Sequence, residues 1–507
     1  MLRRSIGAAR RMSETSKPPT LMSDVHGTVH GKKAWRNQPL FRREGDKKFR
    51  SGAEAAVMLY EEAARRDPYQ TEFLEAVQSF LNSVTPVFDR YPKYAWVMKQ
   101  LMEPERVIQF RVPWIDDQGS RRVNRGFRVQ FSSCCGKLSE RGLVMSRFDV
   151  VGPYIGGLRF HGECRHGTVK FLAFENIFRN AVYGPFGAAA GGADFSPIDK
   201  SEAEIMRFCQ SYVTELANYI GPATDIPTGG VNVGPKEMGY MFGQYKRLRQ
   251  THPAGVDGVL GGSTFPQVTG YGVAYFAKIL VEHAKDSLVG KRVLISGSGT
   301  VALSTAEKLL ELGAIPIGFS DVWGHVIEPD GFSKAQLQAL KEIKAEHSAR
   351  LGGYIMTSTS AKYFPAEETS FWDHPCDLAF PCAMQNDIND VAAKKLVKNG
   401  CKGVFEGAHL PCTPEAIKVF QQHNVLFGPC KATNGAALAL HLKGVTLRGG
   451  EVDHADMDAI AQECMQKVFK AISATAVEFN CVGNWHMATN ITGFLKVAQA
   501  MFRQGVV

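Results

Sequence analysis

Lys291-Arg292-Val293-Leu294-Ile295-Ser296-Gly297-Ser298-Gly299-Thr300-Val301-Ala302 is the stretch on which the reading of this chain turns. Its first six residues have the apolar run of a short strand. Gly297 and Gly299 follow at once. An apolar helix then runs to Leu312 and is closed by Gly313. A second strand, Ile315 to Phe319, ends at Ser320-Asp321. G-x-G-x-x-A between strand and helix, with an acid about 20 residues further on, is the pattern of a dinucleotide-binding unit. The glycines let backbone approach a pyrophosphate, whose charge is favoured at a helix N-terminus. Gly297, Ser298, Gly299, Thr300 and Val301 are therefore the candidate phosphate cradle, and Asp321 is the candidate ribose acceptor. The alternative is a Rossmann fold that has lost its ligand.

Outward from this unit, Leu378–Pro381, Gly403–Glu406 and Val425–Phe427 read as further strands alternating with helices, which extends a parallel sheet. Ala432 to Val507 is largely helical. Toward the N-terminus, Ser51 to Met102 has helical spacing, as in Phe73, Ala76, Val77, Phe80 and Leu81. Val107–Val112 and Arg122–Phe131 read as strands joined at Asp116-Asp117-Gln118-Gly119. Gly136–Asp149 is a charged, irregular interruption. A chain of 507 residues is long for one domain. The divisions expected are 1–50, a basic segment and linker; 51–254, a first α/β domain; 255–430, the Rossmann-like domain; and 431–507, the C-terminal helices.

The formal net charge of +9 has one origin. Residues 1–50 hold 13 Lys and Arg against 4 acids, which is +9, and the remainder balances at 46 against 46. A basic arm on a neutral body points to targeting or an anionic partner, and not to a nucleic-acid-binding fold. Arg3, Arg4, Arg10 and Arg11 precede the first acid, Glu14, and fall on one side of a helix. That is the signature of a mitochondrial transit peptide, the alternative being a disordered basic tail. No run of about 18 apolar residues offers a membrane span. The 11 cysteines include no C-x-x-C, which fits reduced thiols better than a disulfide framework. His161, Cys164 and His166 have loosely metal-like spacing, but a loop that starts a helix is the plainer reading.

Gly184-Pro185-Phe186-Gly187-Ala188-Ala189-Ala190-Gly191-Gly192-Ala193-Asp194-Phe195 is the second informative stretch. It lies between an apolar helical run, Phe171 to Val182, and a capping box at Ser201-Glu202-Ala203-Glu204. It reads as a small-residue loop between two helices, a suitable place for a catalytic group. Yet between Gly184 and Ala193 nothing can transfer a proton.

With Arg66-Asp67-Pro68-Tyr69-Gln70-Thr71-Glu72-Phe73, Glu103-Pro104-Glu105-Arg106-Val107, Gly239-Tyr240-Met241-Phe242-Gly243 and Phe380-Pro381-Cys382-Ala383, these stretches resemble the small hexameric NADP-type glutamate dehydrogenases. The resemblance runs from about Tyr60 to Val507. It implies an N-terminal α/β domain that binds substrate and builds the oligomer, a Rossmann-like domain, and C-terminal helices that close back on the first. It also implies a lysine that activates water, an aspartate that moves protons at nitrogen, and cations that grip the substrate carboxylates.

At the positions that match, this chain departs from that pattern. The lysine of the glycine-rich loop falls at Ala190, and the aspartate after Asp225-Ile226-Pro227 falls at Gly230. The first carboxylate lysine falls at Ile155 and the second at Arg179, the only cation kept. The serine of the C-terminal helix falls at His441, after Ala436-Ala437 in place of Gly-Gly. The asparagine near the nicotinamide falls at His409, and Gly136–Asp149 has the place of an insertion. Thr269 and Asn386 join the candidate cofactor contacts.

A fold kept without its chemistry, as a structural or regulatory subunit in the mitochondrial matrix, is the expectation. One alternative is an active NAD(P)-dependent glutamate dehydrogenase, or an amino-acid oxidoreductase of altered substrate, with a base displaced to His409 or His441, either able to titrate near neutral pH. The other is a dinucleotide sensor. NADP or NAD binding is expected to be weak or vestigial, and no metal is expected. The expected partners are copies of the chain itself, as a hexamer, and a larger mitochondrial complex, with nucleic acid only through the basic arm.

Overall fold

A computed structural model describes residues 49–133, 153–249, 260–261, 266–346, 349–442 and 454–504. The basic segment 1–48, Cys134-Cys135 and the 136–149 interruption lie outside the described residues.

Two sheets organise the molecule. The first follows helices α1 (Gly52–Arg66), α2 (Thr71–Arg90) and α3 (Tyr94–Gln100). Its strands are β1 (Arg106–Ile115), β2 (Arg121–Ser132), β3 (Tyr154–Phe160), β4 (Gly187–Ala193) and β5 (Asp225–Thr228), in the order β1-β2-β4-β3-β5. β1 and β2 form the expected hairpin, with Arg106 opposite Gln130 and Ile115 opposite Arg121. Helix α4 (His166–Tyr183) packs on the sheet and is buried from Thr168 to Tyr183. His161 and Cys164 form the turn into it, the Cys164 amide donating to the His161 carbonyl. α5 (Glu202–Leu216), followed along the chain by α6 (Pro235–Arg249) and α7 (Val268–His283), opens on the capping box: Ser201 accepts from the Glu204 amide at 3.1 Å, and Glu204 accepts from the Ser201 amide at 2.9 Å.

One expectation is corrected here. The stretch around Ala190 is not a loop but strand β4, with all seven residues buried. It pairs antiparallel with β2 and parallel with β3. Alanine and glycine are poor strand formers. Ladders on both sides supply the hydrogen bonds, and the missing side chains let α4 lie close to the sheet.

The second sheet has the order β12-β11-β10-β6-β7-β8-β9. Its strands are β6 (Arg292–Ser296), β7 (Ile315–Asp321), β8 (Gly324–Ile327), β9 (Lys362–Pro365), β10 (Leu378–Pro381), β11 (Gly403–Phe405) and β12 (Leu426–Gly428). Neighbours from β12 through β7 run parallel, as the sequence led us to expect. β8 and β9 add an antiparallel edge that the sequence did not reveal. The C-terminal helix Trp485–Gln504 returns to the first domain. Phe494 lies 6.0 Å from Phe80 and 5.7 Å from Phe88 between ring centres, and Lys496 Nζ donates to the Val182 carbonyl at 2.8 Å.

Candidate functional site

The first sheet, α4 and the turn after β11 meet where the two halves of the chain pack together. Ala190 sits on β4 opposite Val129, is 1% exposed, and joins the apolar cluster of Phe127, Val129, Phe174 and Phe178. Ile155, also 1% exposed, sits on β3 beside Ala188 and Ile226. Its apolar cluster includes Val182, Phe186 and Ile226.

Gly230 starts a tight turn closed by its two backbone hydrogen bonds with Val233. A Cβ added there would lie 2.2 Å from the Leu158 carbonyl oxygen. The β3 backbone therefore occupies the space a side chain would need. His441 lies with its ring centre 6.3 Å from Phe186, and its Nε2 is 3.1 Å from where a Cβ on Gly261 would stand.

Arg179 is buried on α4. Its Nε and Nη2 both donate to Asn180 Oδ1, at 3.1 and 3.0 Å. Its Nη1 lies 2.9 Å from His409 Nε2 and 3.4 Å from Asn434 Oδ1. The guanidinium that the sequence offered as a free carboxylate clamp is thus already engaged along its whole fork. Burial lowers its pKa to about 10, still far above working pH. His409 is corrected more sharply. Burial, then Arg179, Arg159 and Lys431, hold the imidazole well below its ordinary value, so it does not titrate near neutral pH.

Other buried charges near this junction gave no signal in the sequence, because nothing local marks a residue as desolvated. Lys431 pairs with Glu175 at 2.6 Å, both nearly inaccessible, and burial pushes the Glu175 carboxyl up. Arg159 donates from Nη1 to Gln385 Oε1 at 3.0 Å, while its buried Nε has no partner. Glu406, pushed up to about 7 by burial, accepts from the Cys430 amide at 2.8 Å and the Cys412 amide at 3.2 Å. Both of its oxygens fasten backbone.

The candidate phosphate cradle is a tight strand-to-helix turn. Gly297 has φ +82°, a left-handed conformation suited to glycine, and its amide donates to Ser320 Oγ at 3.0 Å. Gly299 caps the helix α8 (Thr300–Glu311) with no side-chain hydrogen bond, and a Cβ there would meet nothing within 4 Å. Unclaimed first-turn amides facing open space suit a phosphate. Ser298 is buried under the turn, while Thr300 and Val301 begin the helix. Thr269 is half-buried on the neighbouring helix Val268–His283, whose Gly270 presses on Ser304 and Thr305. Asn386 is exposed with φ 58°. Asp321 differs from expectation in its surroundings. Oδ1 accepts from the Trp323 and Gly324 amides at 2.9 and 3.1 Å, and Oδ2 from the Leu351 amide at 2.7 Å. It fastens the β7–β8 turn and the segment after α9 (Lys334–Ala345). Among the described residues no group of three or more His, Cys, Asp or Glu could hold a metal, and no helix is long and apolar enough to cross a membrane.

Comparison with known proteins agrees with this geometry. Residues 104–247 match the Glu/Leu/Phe/Val dehydrogenase dimerisation domain, and residues 261–505 match the Glutamate/Leucine/Phenylalanine/Valine dehydrogenase domain. The chain is 41% identical over 459 residues to an NADP-specific glutamate dehydrogenase of Chlorella sorokiniana, covering 89% of this chain and 84% of that protein. It is 39% identical over 457 residues to that of Escherichia coli (strain K12), covering 87% and 97%. The solved structure of Plasmodium falciparum glutamate dehydrogenase superposes with a TM-score of 0.80 at 38% identity, over 90% of this chain and 96% of that one. A two-domain α/β fold, a glycine cradle ahead of α8 and similarity along most of its length place this chain in the Glu/Leu/Phe/Val dehydrogenase family, among homologues of the NADP-specific glutamate dehydrogenases.

Proposed function

We propose that this chain keeps the glutamate dehydrogenase fold without its chemistry and serves as a structural or regulatory subunit. The observation that carries this reading is Gly230. The resemblance assigns a proton-transferring aspartate to that position, and here backbone fills the space of any side chain. Ala190 and Ile155 support it, since both face apolar cores where the family has lysines. A positioned acid or base is typically worth about 10²–10⁴ in rate. Loss of a hydrogen bond to a charged group removes roughly 1.5–3 kcal/mol from substrate binding. A displaced base at His409 is disfavoured by its burial among cations, while His441 keeps the alternative of an altered oxidoreductase open to test.

The relatives are named NADP-specific, and the cradle ahead of α8 suits a dinucleotide pyrophosphate. Dinucleotide sensing is therefore the second reading, with binding weak or vestigial. A carboxylate offers about four acceptor sites, so Asp321 retains capacity for a ribose hydroxyl beside its three backbone donors. The proposed assembly is a homohexamer, on its own or within a larger mitochondrial complex, with the arginine-rich segment 1–13 as the address. Fusing residues 1–40 to a reporter tests the address, and a diffuse cytosolic signal would remove it. The central test is a steady-state assay of the purified oligomer with glutamate, and with 2-oxoglutarate and ammonium, using NAD and NADP. Turnover within the ordinary enzyme range of about 1–10³ per second would sink the proposal.

A further inference from the structure

The turn Gly407-Ala408-His409-Leu410 belongs to the dinucleotide half, yet its side chains lodge in the first domain. Leu410 is 7% exposed and joins the apolar cluster of Phe174, Ile177 and Ala190. Its φ of 43° is left-handed, uncommon outside glycine, so the packing around it holds the turn in place. Beside it, His409 Nε2 lies 2.9 Å from Arg179 Nη1 and 3.2 Å from Asn176 Oδ1. A guanidinium has donors only, so Nε2 is the acceptor facing Arg179, the neutral imidazole carries its proton on Nδ1, and the approach to Asn176 Oδ1 is a contact and not a hydrogen bond.

The charged groups facing this ring are Arg179 on α4, Arg159 on β3 and Lys431 after β12, all cationic. Glu175, the nearby carboxylate, is held by Lys431. The neighbouring contacts point the same way. Asn434 accepts from Arg179 and donates to the Gly407 carbonyl. Asn176 donates to the Ala189 carbonyl at 2.8 Å, which ties α4 to β4. A second strap crosses from Arg159 through Gln385, whose Nε2 donates to Glu72 at 3.3 Å.

We propose that His409 acts as an internal ligand of Arg179, occupying with its imidazole the cation that the resemblance assigns to a substrate carboxylate, and so latching the two domains together. The inference rests on and deepens the reading of a chain without dehydrogenase chemistry, since an Arg179 engaged by His409, Asn180 and Asn434 is not offered to a substrate carboxylate. The two are tested apart: turnover decides that reading, and hydrogen exchange decides the latch.

The experiment follows amide exchange by mass spectrometry in the intact oligomer, at residues 174–183 and 405–412. His409→Gly is expected to speed exchange on both faces by about tenfold, the equivalent of 1.4 kcal/mol. Added imidazole should restore protection. Pyrrole, which has the ring and an N–H but no lone pair to accept from Arg179, should not. His409→Phe keeps ring volume without the acceptor and is expected to behave like His409→Gly, which guards against a collapse caused by lost packing alone. Unchanged exchange in both variants, exchange that changes on one face only, or equal rescue by pyrrole would overturn the latch.

Discussion

At the scale of single residues, the departures from the resembled pattern are not equivalent. Ala190 is a small side chain in an apolar core where the resemblance has a lysine, whereas Gly230 is a place where a Cβ would meet the Leu158 carbonyl at 2.2 Å. Gly230→Asp is therefore expected to destabilise the protein by roughly 1–3 kcal/mol, the usual cost of overpacking, measured by urea unfolding. Ala190→Lys together with Ile155→Lys is expected to leave the assay at background, because each lysine would enter an apolar core and the proton-moving group would still be absent. Glutamate turnover in that double variant would show that a second acid or base exists. The buried pair Lys431–Glu175 makes a different prediction. Lys431→Met strands a desolvated carboxylate and should cost about 3–5 kcal/mol, again read from unfolding. Replacing both partners by apolar residues should cost clearly less.

At the scale of elements, the helix starts were readable and the short strands were not. Ser201-x-x-Glu204 announces α5 because capping is settled within four residues, and Ser201→Ala should cost about 1 kcal/mol of stability. β4 was missed because its seven residues carry no strand signal of their own and obtain their hydrogen bonds from β2 and β3. β8 was missed for a related reason, being only four residues long. It brings a pH dependence with it. His325, 2% exposed, lies with Nε2 2.9 Å from His374 Nε2, and burial followed by that neighbour pushes its pKa down to about 4. The folded value lies below the unfolded one of about 6.5, so the unfolded chain binds protons first as pH falls. The stability from a neutral His325 is full above pH ~6.5, declines below it and is lost by pH ~4, an effect on the order of 1–3 kcal/mol. His486, lowered to about 3 by burial, acts in the same direction. Urea midpoints at neutral and acid pH should therefore converge in a His325→Gln variant more than in the wild type, and parallel curves would refute the assignment.

For the whole molecule, the expected assembly is a hexamer, which light scattering should report as about six times the 55.7 kDa chain. A clean monomer would refute it. Calorimetry with NAD and NADP is expected to give dissociation constants weaker than micromolar, since the glycine turn at Gly297 and Gly299 is formed while His409 stands where the resemblance has an asparagine near the nicotinamide. Tighter binding would favour the dinucleotide sensor over a purely structural subunit.

Gly297 and Gly299, the periodicity of α2 and the alternation of strands and helices after Leu378 made the two-unit α/β architecture legible in the sequence. The departures from the resembled pattern at Ala190 and Gly230 were legible as well, because side-chain identity is read directly from the chain. These signals are local: turn geometry, helix period and side-chain identity act within a few residues. The rest was decided by tertiary structure. Arg179 and His409 are 230 positions apart in the chain, and only packing turns a cation and a titratable base into an engaged pair of guanidinium and neutral imidazole. Asp321 became a fastener of turns through Leu351, and Gly230 lost its room to the Leu158 carbonyl, by the same route. Desolvation and Coulomb interaction depend on distance in space, which the order of residues does not contain.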